Sequence, residues 1–309
     1  MEDPQKYSGL PISWDENKKE LNLGQGVSCG QKTARTLDEM KAFAGENITA
    51  DKSIIYYVYR EIAKQEDAAK IQDAGLRYDI TILEPGTFAP LERRQLLSEA
   101  KTDVAKGVIM PPAADRKTPV LTGFARGKEK EYFRTAGHYH PQKPGTQIAY
   151  PEVFEVLSGR AYWLLQKSNP KDFQQIEEAY LAEAGPGEHA IMLPNFGHIL
   201  INAQNEPLIT ANWIGNNFTY DYQPFKTLQG GAYLLLEGLN KNMIIEKNPH
   251  YGEVPEIKKL VPREVQEFGM QKDKPMYALA QNLGKLDFLI NPEKYQEILT
   301  LEHCFRAVN

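Results

Sequence analysis

Thr135-Ala-Gly-His138-Tyr-His140 places two histidines two residues apart, and this stretch decides the fold. Residues two apart on a strand point to the same face, so the two imidazoles project together. Glu152 follows, seven residues before Gly159, and Pro194-Asn-Phe-Gly-His198 adds a third imidazole, with Asn202 four residues beyond it. Alone, such a histidine pair also occurs as ordinary hydrogen-bonded, half-buried residues. Together with the carboxylate and the third histidine, it predicts a site for one divalent metal ion.

The rest of the chain is organised around short strands. Runs rich in Ile, Val, Tyr, Leu and Phe, bounded by Gly, Pro, Asn or Asp, recur between residues 54 and 248 and predict an all-β sandwich or barrel. A charged stretch within residues 87–128 has partly helical spacing, which predicts a helical insertion. We expect an N-terminal arm with edge segments over 1–53, a barrel over 54–248 and a C-terminal helical extension over 249–309. A single large domain fits the length of 309 residues equally well.

Within the extension, one helix is expected to begin at Asn291. Asparagine is a favourable N-cap residue, and the following Pro292 suits the first helical position. Neither the extension nor the insertion indicates a function of its own.

Composition excludes several classes of protein. The net charge of −5 provides no basic field for nucleic acid. No apolar run approaches the roughly 20 residues that span a bilayer, and the first residues lack the pattern of a signal peptide, so we expect a cytoplasmic protein without a membrane partner. The two cysteines, Cys29 and Cys304, lie far apart without CxxC spacing, which suits a reducing compartment. The metal ligands must therefore be nitrogen and oxygen atoms, because the cysteines do not form a thiolate site.

The spacing of the candidate ligands resembles the cupin pattern of HxH, E-x6-G and P-x3-H-x3-N. The resemblance implies a double-stranded β-helix, or jelly-roll barrel, whose interior holds the ligands His138, His140, Glu152 and His198. Glu155 is the rival for Glu152, but its odd offset would turn it to the opposite face of the strand. Three imidazoles and a carboxylate suit several ions. We expect Fe2+, with Mn2+, Zn2+ and Ni2+ as alternatives.

Four blocks narrow the resemblance to the cupin-type glucose-6-phosphate isomerases known mainly from archaea. The blocks, in chain order, are Ile54-Ile-Tyr56-Tyr-Val-Tyr59, Tyr78-Asp-Ile-Thr81-Ile-Leu-Glu-Pro-Gly86, Lys130-Glu-Tyr-Phe-Arg-Thr135-Ala-Gly-His-Tyr-His140 and Pro151-Glu-Val-Phe-Glu-Val-Leu-Ser-Gly159. The resemblance covers roughly residues 30 to 250. It implies a metal-dependent isomerase of glycolysis and gluconeogenesis that interconverts glucose 6-phosphate and fructose 6-phosphate, commonly as a homodimer.

The resemblance also implies a substrate site. Positions around the sugar phosphate match Tyr56, Thr81, Thr135 and Gly137, which offer hydroxyl and backbone N–H donors to an anion. Tyr222 matches a family tyrosine at the sugar end, so the expected catalytic residues are Glu152, His138 and Tyr222. Tyr56 and Tyr222 could instead be ordinary core residues of strands, in which tyrosine is common. Arg134 stands where lysine is usual and would keep a positive charge near the phosphate.

Several alternatives stay open at this level. Glu152 could act as the base in an enediol route, or it could only hold metal while hydride shifts between carbons. Because one fold hosts many reactions, an isomerase of another sugar or sugar phosphate, a cupin dioxygenase or decarboxylase, and a non-catalytic sugar-phosphate-binding cupin are rival functions. The chain also departs from the family at residues 87–129, and in having eleven residues between His140 and Glu152.

Overall fold

The computed structural model describes residues 2–45, 51–88, 129–238 and 240–308, which consist mainly of strands. The strands are β1 Ile12–Asp15, β2 Glu20–Leu23, β3 Val27–Ser28, β4 Gln31–Thr36, β5 Ile54–Arg60, β6 Ala63–Lys64, β7 Leu76–Leu83, β8 Lys130–Glu131, β9 Glu152–Ser158, β10 Ala161–Asn169, β11 Asp172–Ala184, β12 His189–Met192, β13 Gly197–Ile201, β14 Leu208–Gly215, β15 Tyr233–Glu237, β16 Met243–Lys247, β17 Lys258–Pro262 and β18 Phe305–Ala307. The α-helices are short: α1 Pro4–Ser8, α2 Leu37–Ala44, α3 Gln65–Asp73, α4 Gln223–Thr227 and α5 Leu301–Cys304.

Two large sheets face each other. One has the strand order β12-β9-β14-β7-β5-β4, and the other has the order β13-β10-β11-β17-β18. Their inner faces meet where the rings of Phe154 and Trp163 lie 5.6 Å apart. From β9 to β14 the chain passes repeatedly from one sheet to the other, which is the winding of a double-stranded β-helix. The predicted all-β cupin core is thereby confirmed.

The C-terminal extension covers the outer face of the six-stranded sheet. The indole nitrogen of Trp213 donates to the carbonyl of Met276 over 3.0 Å, and the backbone N–H of Met276 donates to Glu155 over 2.9 Å. The ring of Tyr277 packs edge-on against Tyr78, with centroids 5.1 Å apart. Since both faces of this sheet are covered, every residue of β9 and β14 is buried. Apolar residues accordingly occupy both faces of these strands, and the polar residues Glu152, Glu155, Thr210 and Asn212 are buried among them.

The extension is less α-helical than the sequence suggests. It consists largely of 3-10 turns, at Gln266–Phe268, Met276–Gln281, Leu283–Leu289 and Pro292–Lys294, together with β17, β18 and α5. The expected helix from Asn291 is wrong, because only the single 3-10 turn forms there and Asn291 does not cap it. Its amide instead donates to Asp287 over 2.7 Å and accepts from Lys143 over 2.6 Å. The bond from Lys143, 148 residues away in the sequence, engages the amide oxygen that an N-cap would use.

The predicted helical insertion, about 87–128, lies outside the described residues except for Thr87 and Phe88. The expected limits of the arm, the barrel and the extension stay predictions. Among the described residues, no helix has the length and apolar character needed to cross a membrane. Cys29 and Cys304 are both free thiols.

Candidate active site

A cavity between the sheets is lined by alternate residues of adjacent strands. On the six-stranded sheet these residues are Thr33 and Arg35 of β4, Tyr56, Val58 and Arg60 of β5, Asp79 and Thr81 of β7, Glu152 and Phe154 of β9, and Asn212 of β14. His198 and Leu200 of β13 line it from the facing sheet. The period of two is that of side chains pointing to one face of a strand. The inner faces of both sheets therefore converge on a single polar chamber.

Four side chains at one end of this chamber form the predicted ligand cluster. His138, His140, Glu152 and His198 each offer one ligand atom, and these atoms all lie within 4.8 Å of one another. The segment that carries His138 pairs with β13 through a β-bridge to His198. The Oε2 atom of Glu152 lies 3.2 Å from Nε2 of His198 and 3.5 Å from Nε2 of His140. The fold thus brings His198 of β13 beside ligands that come about fifty residues earlier in the chain.

The cluster has the chemistry that a divalent ion requires. Nδ1 of His140 lies 2.8 Å from the carbonyl of Tyr150, so this nitrogen carries the proton and Nε2 keeps its lone pair. Nε2 of His198 and Oε2 of Glu152 are buried without a hydrogen-bond partner among the described residues. Buried polar atoms without partners are costly unless something else satisfies them. The side chains present therefore fit a bound metal ion.

Burial changes the protonation of these groups in the direction that ligation needs. It lowers the pKa of His140 to about 4, that of His198 to about 3 and that of His138 well below its ordinary value. The three imidazoles are therefore neutral near pH 7, as metal ligands must be. Burial also raises the pKa of Glu152 to about 7. A cation beside this carboxylate would favour its charged form.

Glu152 faces the cluster and its rival Glu155 does not, as the offset of three residues predicts. The amide of Asn212 donates to Oε1 of Glu152 over 2.6 Å, which leaves Oε2 directed at the histidines. Glu155 is buried on the outer face, where it lies 3.3 Å from Nε2 of His189. Asn212 was missed in the sequence, although Trp213 beside it points to the outer face and implies that Asn212 points inward.

All five substrate-site residues expected from the sequence line the same chamber, namely Tyr56, Thr81, Thr135, Gly137 and Tyr222. The hydroxyl oxygen of Thr135 accepts the backbone N–H of Leu200 over 3.1 Å, so its own proton is available to a ligand. Gly137 has φ +76°, and a Cβ atom there would lie 2.6 Å from Ile199. Glycine is thus required directly before the first ligand histidine.

The expected position of Arg134 beside the phosphate is wrong. Arg134 is buried away from the chamber, where its Nε atom donates to Glu131 over 2.5 Å and one terminal nitrogen donates to the carbonyl of Phe43 over 2.8 Å. Its charge is thereby neutralised within the protein. Among the described residues, the cationic side chains that line the chamber are those of Arg35 and Arg60, on neighbouring strands.

Strand register separates the two arginines along the chamber. Arg35 pairs with Tyr56, and Val58 on the same face pairs with Thr81. Arg60 lies at the other end of β5, beside Glu61, whose backbone N–H donates to Asp79 over 3.0 Å. Side-chain alternation on β4 and β5 could have placed Arg35 and Arg60 on one face of the sheet. Which face lines the chamber, however, depends on how the two strands pair, and the sequence alone does not give that pairing.

Tyr220, which the sequence did not single out, is the tyrosine closest to the ligand histidines. Its ring centroid lies 4.2 Å from that of His138 and 5.4 Å from that of His140. The guanidinium of Arg77 donates to its hydroxyl oxygen. Burial raises the pKa of Tyr220 above its ordinary value, so the phenol stays protonated. Tyr222 lies farther away, 5.6 Å from His138, and packs against Phe43 of α2.

The eleven residues between His140 and Glu152 form a closed loop that is tied to the extension. Gln142 and Ala149 pair across it, and the backbone N–H of Ala149 donates to Asn195 over 2.9 Å. The ammonium of Lys143 donates to Glu293 over 2.7 Å. The carbonyl of Tyr150 at the end of this loop accepts from His140. The longer loop and the C-terminal extension thus contact each other, and the four ligand side chains still converge.

Comparison with known proteins gives one family match. The family model described as glucose-6-phosphate isomerase (GPI) matches residues 31–92 and 127–253. The search of curated proteins found no match.

Solved structures similar to the chain include the oxalate decarboxylase of Bacillus subtilis, whose Mn(II) centres have been studied, at 8% identity and a TM-score of 0.30, over 64% of this chain and 31% of that one. An oxalate oxidase is similar at 13% identity and a TM-score of 0.32, over 60% of this chain and 61% of that one. A third is the oxalate decarboxylase of Lactobacillus farciminis, at 12% identity and a TM-score of 0.28, over 57% and 32%. The match spans about a third of each oxalate decarboxylase chain.

Proposed function

The chain belongs to the glucose-6-phosphate isomerase family, and from this premise we propose that it is a metal-dependent aldose-ketose isomerase that interconverts glucose 6-phosphate and fructose 6-phosphate. One observation carries the proposal. The His3Glu cluster and a group of anion donors, comprising Arg35, Tyr56, Thr81 and Thr135, line one chamber. A sugar phosphate has a reacting end that suits the first group and an anionic end that suits the second.

The phosphate end is assigned to the part of the chamber around Arg35 and Tyr56. A guanidinium bonds phosphate oxygens strongly because both partners are charged. The free hydroxyl proton of Thr135 adds a neutral donor on the facing wall. Binding energy at this remote end orients the reacting carbons at the other.

The metal end is assigned to His138, His140, Glu152 and His198. A bound divalent ion would polarise neighbouring sugar oxygens as a Lewis acid. Glu152 is held by Asn212 through Oε1, so its orientation is fixed before substrate arrives. Asp79, the other carboxylate that lines the chamber among the described residues, is already bonded to Arg77 over 2.8 Å and to the backbone of Glu61. Glu152 is therefore the carboxylate we assign to proton transfer in an enediol route.

The reaction needs no external oxidant or reductant. In the direction of fructose 6-phosphate, one hydrogen passes from C2 to C1 and the hydroxyl proton passes from the oxygen on C2 to the oxygen on C1. The carbonyl thereby moves from C1 to C2, and atoms and electrons balance within the sugar. The rival dioxygenase or decarboxylase function does not require a phosphate-binding group at a distance from the metal cluster. An Fe2+ cofactor, a cytoplasmic location and a homodimer belong to the same proposal.

A coupled assay tests the function. Purified protein is stripped of metal, and Fe2+, Mn2+, Zn2+ or Ni2+ is added back singly before glucose 6-phosphate formation from fructose 6-phosphate is followed. We expect no turnover without metal and restored turnover with at least one ion. Binding of sugar phosphate without turnover under every ion would instead identify a non-catalytic binding protein.

A further inference from the structure

The side chains of Asp79, Arg77 and Tyr220 form a chain of hydrogen bonds at the metal end of the chamber, and the function proposed above gives this chain no role. The Nε atom of Arg77 donates to Oδ2 of Asp79 over 2.8 Å, and its terminal nitrogen donates to the hydroxyl oxygen of Tyr220. Oδ1 of Asp79 is fixed in turn by the backbone N–H of Glu61. Arg77 and Asp79 have side chains only 12% and 3% exposed, so this arrangement is built into the fold.

The direction of these bonds decides what Tyr220 can do. A phenol has one proton to donate and an oxygen that accepts. Because Arg77 occupies the accepting side, the phenolic proton is left for an acceptor elsewhere. Tyr220 itself lines the chamber, and its ring lies beside that of His138. Its proton is therefore available to a ligand at the metal end.

We propose that Tyr220, oriented by the Arg77–Asp79 pair, donates a hydrogen bond to a sugar oxygen beside the metal cluster and stabilises the charge that develops there during isomerisation. This rests on the proposed function. Tyr220 is then a catalytic residue in place of Tyr222, and Arg77 and Asp79 are positioning residues. Asn212, which pairs with Asp79 across the strands, holds Glu152 at the same end.

The ring and the hydroxyl of Tyr220 have separable roles. The ring packs against His138 and His140, with centroids 4.2 and 5.4 Å away, and supports the ligands whatever the hydroxyl does. Tyr220→Phe keeps this packing and removes only the donor. Tyr220→Ala removes both. Tyr180→Phe is a matched control, because the hydroxyl of Tyr180 also bonds a charged group, Glu178, over 2.7 Å but lies outside the chamber.

Two readouts test the inference on the full-length protein: the metal dissociation constant by titration of the stripped protein, and kcat and KM for fructose 6-phosphate. We expect Tyr220→Phe to bind metal like the wild type while kcat falls ~100-fold with KM nearly unchanged, as for loss of one donor to a developing charge. We expect Tyr220→Ala to weaken metal binding as well, and Tyr180→Phe to match the wild type. Wild-type kcat in Tyr220→Phe, or metal loss equal to that of Tyr220→Ala, would overturn the inference.

Failure of the proposed function would be recognised separately, by absence of turnover in the wild type. The hydroxyl is then tested by affinity for sorbitol 6-phosphate, an open-chain polyol phosphate. Loss of one neutral hydrogen bond weakens binding by ~2- to 10-fold in Tyr220→Phe. Equal affinity of the two proteins, or binding by neither, counts against the inference.

Discussion

Replacing Arg134 by methionine separates a structural arginine from a substrate-binding one. The Arg134 side chain is 2% exposed and that of Glu131 is 5% exposed, and the two are joined over 2.5 Å. Arg134 also donates to the carbonyls of Phe43 and Thr135, over 2.8 and 3.2 Å. It therefore ties α2 and β8 to the segment that leads into the ligand histidines.

The loss of stability expected for Arg134→Met follows from the burial of the ion pair. Removing one partner of a buried ion pair leaves an uncompensated buried charge and costs about 3–5 kcal/mol. Arg160→Met is the matched control, because Arg160 and Glu183 are also 2.5 Å apart but are 50% and 39% exposed. Such a surface pair contributes about 0–1 kcal/mol. The double variant Glu131→Leu with Arg134→Met removes both charges and should recover most of the loss.

Urea unfolding followed by tryptophan fluorescence measures these free energies. Burial raises the pKa of Glu131, and loss of the neighbouring guanidinium would raise it further. The folded variant then binds a proton more readily than the unfolded chain, so its stability falls as pH rises, and the deficit against wild type is larger at pH 8 than at pH 5. Two results together would refute the structural role of Arg134. The first is a loss of unfolding free energy below about 1 kcal/mol, which is the range of an exposed pair, and the second is a raised KM for fructose 6-phosphate.

Three further outcomes are expected. Arg35→Met should raise the KM for fructose 6-phosphate ~10- to 100-fold, since a charge-assisted hydrogen bond is worth about 1.5–3 kcal/mol; an unchanged KM would remove Arg35 from the phosphate site. Asn212→Ala should weaken metal binding by ~10- to 100-fold in a competition titration with a chelator, because it frees Glu152 to turn; wild-type affinity would mean that Asn212 has no orienting role. In heavy water, deuterium at C2 of the product would indicate an enediol route with Glu152 as base, whereas its absence, without rapid return of the same proton, would indicate a hydride shift.

The sequence predicted the ligand cluster because its signals are local. The two-residue spacing of His138 and His140 and the offset between Glu152 and Glu155 depend only on strand alternation. Thr135 and Gly137 line the chamber as well, in keeping with their position directly before the ligand pair. These features survive the longer loop before Glu152, since that loop closes on itself and is held by Lys143.

Features that depend on pairing between distant segments could not be predicted in this way. Arg134 was expected near the phosphate because it stands where the family has lysine. Its ion-pair partner Glu131 is only three residues away, but the carbonyl of Phe43, which also accepts from it, lies ninety-one residues earlier. Arg35 and Arg60 enter the chamber only because β4 and β5 pair at the edge of the six-stranded sheet. The helix expected from Asn291 failed for the same reason, since a lysine from the loop after His140 takes the oxygen that would have capped it.

Metal content and turnover, measured side by side in the wild type and in His138→Ala, test the central claim most directly. The Nε2 atoms of His138 and His140 lie 3.0 Å apart within the cluster, so the substitution removes one ligand while the segment that carries it keeps its bridge to His198. The wild type should hold one divalent ion per chain and convert fructose 6-phosphate to glucose 6-phosphate, and the variant should lose the ion and the activity together. A His138→Ala protein that contains no metal yet turns over fructose 6-phosphate at the wild-type rate would contradict the account.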